Sequence, residues 1–200
     1  MKTLEQELAK RRAGHLYRER FVLDSPQETE VRVGEESLLS FCSNDYLGLA
    51  NHPEVVAAFR AGAERYGVGA GASHLVSGHS RAHHALEEEL ADFVGAERAL
   101  LFSTGYMANL GVVSALTDRH DVIFEDRLNH ASLIDAARLT RAKVSRYPHA
   151  DTEWLADMLA RDQRSGLITT DAVFSMDGDI APLRELQFNM RERFDMPRFS

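Results

Sequence analysis

Cysteine and long apolar runs are scarce in this sequence, and each shortage excludes a class of protein. The one cysteine, Cys42, leaves no pair for an internal disulfide and no cysteine cluster for zinc. No window stays apolar over the roughly 20 residues that a membrane-spanning helix needs. The first residues, MKTLEQELAKRR, have no apolar stretch after their charges and so do not resemble a secretory signal. These absences favour a soluble cytoplasmic protein.

Acidic residues outnumber basic ones, and lysine is scarce. The formal net charge is −8, which argues against nucleic acid or an anionic membrane as a partner. Most of the basic residues are arginines, and the only lysines are Lys2, Lys10 and Lys143. The scarcity of lysine limits any chemistry that needs an amine in the site.

The first part of the chain has mixed patterns. Hydrophobic spacing predicts an exposed N-terminal helix through about Arg20, then a hairpin around Gly34. Pro53 is placed to begin the next helix. The glycine-rich stretch 67–80 predicts no regular structure, and a helix follows at about 81–94.

The rest of the chain alternates strand patterns with helix patterns. The strands RALLFS, DVIFED and KVSRY each precede a helix, and LITTDAVF precedes the turn SMDGDIAP and a helix from Pro182. Asp151 is placed to cap the helix after KVSRY. Strands and helices of these lengths in alternation predict an α/β fold, a three-layer sandwich with a mostly parallel sheet.

The junction between RALLFS and the next helix is typical of a phosphate site. Ligands of such sheets collect beyond the carboxyl ends of the strands. The helix that opens at Gly105 offers backbone N–H groups without internal partners, and its dipole favours an anion. Ser103 and Thr104 add hydroxyl groups, and no Walker lysine is present. An ordinary helix-capping turn is the alternative that the local sequence leaves open.

Two other positions follow strands of the same predicted sheet. Asn129 and His130 follow DVIFED after two intervening residues and begin a helix, so His130 is predicted to lie on the same edge as Gly105. Ser175 ends the strand LITTDAVF on that edge. For Asn129 and His130, the alternative is a pair that only caps the helix. For Ser175, the alternative is a plain turn at Asp177.

Three histidines leave a metal site open as another possibility. His79 and His83 are four residues apart, a spacing that places both rings on one face of a helix, and His84 lies beside them. Glu87 and Glu88 are the nearest carboxylates, and no third ligand is evident from the spacing. The alternative to a metal-dependent hydrolase is an exposed, polar start of a helix, and we predict no metal.

Several segments together resemble one family, the α-oxoamine synthases, which are fold-type I enzymes dependent on pyridoxal 5′-phosphate (PLP). The similarity extends from about Leu8 to Gln187 and follows the order of the family's motifs. The segments that carry it are FCSNDYLGLANHPEV, VSGHSRAHHALEEELADFVGAERALLFSTGYMANLGV, DRLNHASLIDAARL and DAVFSMDGDIAPLREL.

The resemblance implies a reaction, partners and a set of site residues. It implies the branch that condenses L-alanine with a pimeloyl thioester of coenzyme A or carrier protein, with decarboxylation, in biotin biosynthesis. Glycine C-acetyltransferase, 5-aminolevulinate synthase and serine palmitoyltransferase share many of the motifs, and the first two remain alternatives. The family also implies a homodimer. The implied catalytic residue is His130, and the implied contacts are Gly105, Tyr106, His130 and Ser175 for PLP, and Arg18, Asn44 and His130 for substrates.

The sequence departs from the family after the APLREL segment. The family continues into an Asp-x-x-His-Gly motif and the lysine that holds PLP, whereas this chain runs QFNMRERFDMPRFS and contains neither. We therefore expect an N-terminal arm and hairpin start at 1–35, the first part of the PLP-binding domain at 36–187 and an atypical tail at 188–200. We also expect the chain alone to be inactive, or to act as a non-catalytic fragment that pairs with a full-length subunit.

Overall fold

The structure, a computed structural model, describes residues 3–162 and 164–187. These residues form two compact units that divide between Ala82 and His83. The predicted tail at 188–200 lies outside the described residues. Of the helices that are described, none combines the length and the apolar character needed to cross a bilayer.

The first unit contains helices, one hairpin and a single π-helical turn. Gly34 takes a left-handed φ of 60° in the tight turn of the hairpin, so the predicted hairpin is confirmed. The predicted helix start at Pro53 is also confirmed. The elements are α1 (Leu4–Ala13), β1 (Glu30–Val33), β2 (Glu36–Leu39), α2 (Pro53–Tyr66) and the π-helical turn (His74–Gly78).

Two predictions for this unit are wrong in detail. The N-terminal helix ends at Ala13 rather than near Arg20, because the chain turns back there: the Leu16 N–H donates to the Arg11 carbonyl at 2.8 Å. The glycine-rich stretch is not wholly irregular, since it contains the π-helical turn. Gly78 allows this turn, because a Cβ there would lie 2.0 Å from the Ala72 carbonyl oxygen.

The second unit starts within α3 and contains the sheet. Its strands β4, β3 and β5 lie in that order and are parallel, while β6 and β7 form a separate antiparallel hairpin. Residues 183–187 are helical. The elements are α3 (Arg81–Val94), α4 (Gly105–Leu116), β3 (Val122–Asp126), α5 (Ala131–Leu139), β4 (Lys143–Tyr147), α6 (Thr152–Arg161), β5 (Gly166–Thr169), β6 (Val173–Phe174) and β7 (Asp179–Ile180).

The central strand β3 is buried on both faces, which produces three layers. Because side chains alternate along a strand, Val122 and Phe124 face one side and pack with Leu155 of α6. Ile123 faces the other side and packs with Ala136 of α5 and with α4. The predicted sandwich of helices around a parallel sheet is confirmed for this unit.

Two strand predictions are corrected by the structure. The segment RALLFS, 98–103, is not a strand, because within the described part of the chain no neighbouring strand takes its hydrogen bonds; instead the Leu101 N–H donates to Glu87 Oε1 at 3.1 Å. LITTDAVF is not one strand but two, β5 and β6. The chain turns between them because Asn129 binds both Thr169 and Asp171.

Tyr147 at the end of β4 leads to a prediction about alkaline stability. Its side chain is 1% exposed, and burial raises its pKa from 10.0 to about 12, with the charge of Asp126 adding to the rise. The folded chain therefore keeps a proton that the unfolded chain loses above pH 10. This proton stabilises the fold below pH 10, and the stabilisation is lost as the pH rises towards 12.

We expect this one group to lower the free energy of unfolding by about 1.3 kcal/mol between pH 9 and pH 11. Urea unfolding at both pH values measures the loss. Tyr147→Phe should remove this contribution to the fall in unfolding free energy between the two pH values. Tyr46→Phe, at a side chain that is 82% exposed, should leave the fall unchanged. An equal loss in the parent chain and in Tyr147→Phe would contradict the prediction.

Candidate functional site

The N-terminus of α4 is capped and still offers backbone donors. Thr104 is the N-cap, and its Oγ1 accepts a hydrogen bond from the Met107 N–H at 3.2 Å. The N–H groups of Gly105 and Tyr106 donate to no acceptor within residues 3–162 and 164–187. Apart from its chain neighbours and the backbone of its own helix, no described atom lies within 4 Å of where a Cβ on Gly105 would be. Thr104 thus caps the helix, as the alternative predicted, and the amides of Gly105 and Tyr106 still remain available to an anion.

Polar contacts fasten α4 beside the start of α5. The Tyr106 hydroxyl donates to the Asp135 carboxylate, and this hydrogen bond raises the pKa of Tyr106. One turn further along, Asn109 Nδ2 donates to Ser132 Oγ at 2.8 Å. Ser132 is 1% exposed, so the second contact is shielded from water. These contacts fix the first turns of the two helices relative to each other.

His130 is the N-cap of α5, as the capping alternative predicted. Its Nδ1 accepts from the Ser132 N–H at 3.2 Å and lies 2.7 Å from Ser132 Oγ. Because Nδ1 is an acceptor, the neutral ring carries its proton on Nε2. The His130 N–H donates to Asp171 Oδ2 at 2.6 Å. The imidazole is thereby held in one orientation at the edge of the sheet.

Asn129 joins the loop after β3 to the end of β5. It is 5% exposed; its Nδ2 donates to the Thr169 carbonyl at 2.8 Å, and its Oδ1 accepts from the Asp171 N–H at 3.2 Å. A side-chain amide supplies both a donor and an acceptor, which the two backbone groups require. Asn129 therefore sets the position of the backbone on which His130 and Asp171 lie.

A cavity of about 380 Å³ lies at this edge of the sheet. Such a volume falls in the range of small-molecule sites. Two predicted residues, His130 and Ser175, both line it. The full lining is Leu128, Asn129, His130, Ala131, Asp171, Val173, Phe174, Ser175, Met176 and Asp177.

Ser175 reaches this cavity by a route that differs from the prediction. It follows β6, and β6 belongs to the β6–β7 hairpin rather than to the parallel sheet. The hairpin brings Ser175 to the same cavity as Asp171 and His130. Ser175 does not end a strand of the parallel sheet, and its contact with a cofactor stays a prediction.

Sequence reasoning missed the polar residues that hold this edge together. Asp126, 1% exposed, accepts from the N–H groups of Leu128 at 2.8 Å and Ala150 at 2.9 Å. His149 lies between Asp126 and Asp179. The signal that could have pointed to His149 is its position just after β4, at the edge where the ends of β3 and β5 also lie.

Lys143 lies far from the cavity. In the parallel register it pairs with Val122, the first residue of β3, whereas the cavity residues follow the last residue of that strand. Four residue steps along a strand span roughly 13 Å. Lys143 Nζ lies 3.3 Å from Asp162 Oδ2 at an exposed position. The structure therefore confirms that Lys143 is a surface residue at a strand start.

The substrate residues implied by the family resemblance lie in the first unit. Arg18 lines a groove beside α1. Asn44 is exposed in a loop that Asp45 organises, because its carboxylate accepts from the N–H groups of Leu49 and Ala50 at 2.9 and 3.0 Å. Their roles in substrate binding remain predictions.

The histidines of the metal alternative have contacts within their own units. His79 belongs to the first unit, where its Nδ1 lies 3.1 Å from His74 Nδ1. His84, on α3 of the second unit, lies 3.4 Å from Glu88. These contacts do not test whether the group binds a metal.

The comparisons with known proteins identify the family. A model of the aminotransferases of class I and II matches residues 36–188, and the chain belongs to this family. Among named relatives, it is similar to the 8-amino-7-oxononanoate synthase of Nitrosomonas eutropha: 61% identical over 193 residues, covering 96% of this chain and 50% of the relative. The chain therefore spans about half the length of the curated relatives it matches.

Solved structures give the same fold. The serine palmitoyltransferase of Sphingomonas wittichii matches with a TM-score of 0.88 at 32% identity, over 95% of this chain and 49% of that one. That of S. paucimobilis with bound PLP–myriocin matches with a TM-score of 0.87 at 30% identity, over 96% and 49%. The predicted fold, a fold-type I PLP transferase, is thus confirmed, and PLP is the cofactor of the family.

The Asn129 contacts generate a prediction about stability. Asn129→Ala would remove the hydrogen-bond partner of the buried Thr169 carbonyl and of the half-buried Asp171 N–H, so we expect the free energy of unfolding to fall by about 1–3 kcal/mol. Chemical denaturation followed by circular dichroism measures this change. Asn51→Ala removes a contact to Glu28 in the first unit and serves as the matched control, with a smaller expected effect. An Asn129→Ala midpoint equal to that of the parent would contradict the assignment.

Proposed function

We propose that the whole protein of which these residues form a part is an 8-amino-7-oxononanoate synthase. It would condense L-alanine with a pimeloyl thioester, release carbon dioxide and use PLP. The observation that carries the proposal is the pair of amides at Gly105 and Tyr106, which have no acceptor in the part of the chain that the structure describes, on a helix fastened to the one that His130 caps. The 61% identity to a synthase of that name supports this branch over glycine C-acetyltransferase and 5-aminolevulinate synthase.

The described residues fit the phosphate of PLP. A helix N-terminus with two free N–H groups attracts an anion through both hydrogen bonding and the helix dipole. Gly105 presents no side chain, and open space lies where one would be, so a phosphate oxygen can approach the backbone. We assign Gly105 and Tyr106 as the phosphate-binding residues.

The described residues also fit the ring. His130 is held by Ser132 on one side and by Asp171 through its own backbone, so its imidazole is available to stack on a flat heterocycle. Ser175 lines the same cavity and can hydrogen-bond the cofactor. PLP, when bound, supplies the electron sink that stabilises negative charge on the α-carbon of an amino acid.

The substrate roles follow from the family motifs. His130 and Asn44 are proposed to bind the carboxylate of L-alanine, and Arg18 the acyl substrate. His130 is also the proposed catalytic residue, since Nε2 of its ring can exchange a proton near the α-carbon. A homodimer, which the family resemblance implies, and a cytoplasmic location belong to the same proposal.

The chemistry needs an amine that these residues do not place in the cavity. No lysine lines the cavity, and Lys143 lies at the opposite end of its strand. A lysine at the site both anchors the cofactor and moves protons in this class of reaction. We therefore propose that the 200-residue chain by itself binds PLP without covalent attachment and does not catalyse the condensation.

The phosphate assignment predicts a charge effect on binding. We expect PLP to bind at least about 10-fold more tightly than pyridoxal, which lacks the phosphate, and Gly105→Asp to abolish this difference by repelling the anion. Fluorescence titration with both ligands measures the two dissociation constants. Ser114→Asp, which places the same charge on the same helix two turns or more further along, should retain the difference.

Equal binding of PLP and pyridoxal by the unaltered chain would contradict the phosphate assignment. So would a Gly105→Asp variant that still prefers PLP as strongly as the parent does. Because Gly105 is exposed, the substitution is not expected to unfold the helix.

Turnover by the chain alone is the second test. With L-alanine and pimeloyl-CoA, saturating PLP and purified chain, we expect no release of coenzyme A above a protein-free control in a thiol assay. Borohydride converts a Schiff base between PLP and lysine into a stable bond. Treatment of the PLP-loaded chain should therefore give no PLP-labelled lysine peptide from the cavity. Steady, enzyme-dependent release of coenzyme A would show that the chain does not need a further lysine.

A further inference from the structure

His149 joins three separate parts of the second unit behind the candidate cavity. It lies in the turn between β4 and α6, and its Nδ1 is 3.1 Å from Asp126 Oδ1 at the end of β3. Its Nε2 is 2.6 Å from Asp179 Oδ2 on β7. The edge of its ring meets the Phe174 ring, with centroids 4.3 Å apart.

The two carboxylates that His149 bridges belong to segments that adjoin the residues lining the cavity. Asp126 also binds the Leu128 N–H, and Leu128 begins the wall that includes His130. Asp179 is on the strand that pairs with β6, and β6 leads directly into Ser175. A single imidazole therefore connects the loop that leads to His130 with the hairpin that leads into Ser175.

We propose that His149 is a positioning residue, which holds the β6–β7 hairpin against the end of β3 and so fixes Ser175 at the cavity that His130 also lines. Within the hairpin, the Gly178 N–H donates to the Phe174 carbonyl at 2.7 Å and the Ala181 N–H to the Ala172 carbonyl at 3.0 Å. A two-stranded hairpin with two residues in each strand has little stability of its own, so it needs an external anchor.

The protonated ring suits this task better than the neutral ring does. An imidazolium has two N–H donors and can bind both carboxylates, whereas neutral imidazole has one. The hydrogen bond to Asp179 raises the pKa of His149, and Asp126 raises it further against the opposing effect of burial. Asp126 from β3 and Asp179 from β7 are the charged groups that act on the ring. We call the contact of His149 with both Asp126 and Asp179 the clamp. It is complete below the ordinary pKa of histidine and weakens as the pH rises through the raised pKa of His149.

The turn that carries His149 shows a backbone feature consistent with a fixed position. Ala150 has a left-handed φ of 55°, which a residue with a side chain adopts at a cost. Its N–H is held by Asp126 Oδ2 at 2.9 Å. The same buried carboxylate thus fixes both the turn and the ring that it presents.

Amide hydrogen exchange of the 200-residue chain tests the clamp directly. We expect His149→Gln to raise the exchange rates of the Gly178 and Ala181 amides about 10-fold or more, with no change at Ile123 in the core. His120→Gln, a histidine before β3 that contacts Arg119, should change none of them. In the unaltered chain, hairpin protection corrected for intrinsic exchange should fall as the pH rises through the His149 pKa. This step should be absent from His149→Gln.

Unchanged hairpin exchange in His149→Gln, or a pH step that survives the substitution, would overturn the inference. Faster exchange at Ile123 would mean that the variant unfolds as a whole. Asp179→Asn then decides, because it leaves the buried contact between His149 and Asp126 in place. Faster amide exchange confined to the hairpin supports the clamp, and unchanged exchange in the hairpin refutes it.

The consequence for PLP rests on the proposed function, and it can fail separately. We expect His149→Gln to weaken PLP binding about 10-fold, because Ser175 is no longer fixed, with His120→Gln at the parental value. If the unaltered chain does not bind PLP, the proposed function is wrong while the exchange experiment still decides the clamp. If PLP binds equally well to the parent and to His149→Gln, the positioning role is wrong while the function stands.

Discussion

The buried carboxylate of Asp126 is the interaction on which the candidate site depends. A carboxylate that is 1% exposed needs several donors, and Asp126 finds them in the Leu128 and Ala150 N–H groups and in His149. Those donors come from the loops after β3 and β4. The cost of burying one charge is thus offset by contacts that order the loops at the edge of the sheet where the cavity lies.

The parallel register converts this local order into a site. Because β3, β4 and β5 run in the same direction, their following loops all leave from one edge. Asn129 then ties the first loop to the third, and Ser132 ties α5 to α4 through Asn109. The result is a cavity lined by a held imidazole at this edge, and a helix α4, fastened to α5, whose first two amides have no acceptor among the described residues. A phosphorylated, flat cofactor matches this combination of donors and ring.

Local signals in the sequence were sufficient for most elements of the fold. Pro53 begins α2, Gly34 turns the hairpin, and Asp151 caps α6 by accepting from the Trp154 N–H. Each of these features depends on a residue and its immediate neighbours, so its pattern can be read along the chain. The places of Gly105 and His130 at helix starts were likewise predictable, because each comes a few residues after a strand-like segment.

Features that depend on distant partners were not predictable in the same way. The segment 98–103 has a strand pattern, but a strand exists only where a neighbouring backbone takes its hydrogen bonds. The break in LITTDAVF results from Asn129, some 40 residues earlier in the chain. His149 acquires its role from Asp126 and Asp179, and no short motif records that pairing. The family resemblance supplied the reaction, which the local residues alone left open.

The central claim is that the phosphate of PLP binds at the backbone of Gly105 and Tyr106, with His130 beside the ring. The most direct measurement is a titration of the ¹⁵N-labelled chain with PLP, followed by amide and imidazole chemical shifts. The account predicts saturable shifts at the Gly105 and Tyr106 amides and at the His130 ring, all with one dissociation constant. Saturable binding that leaves these three signals unmoved would contradict it.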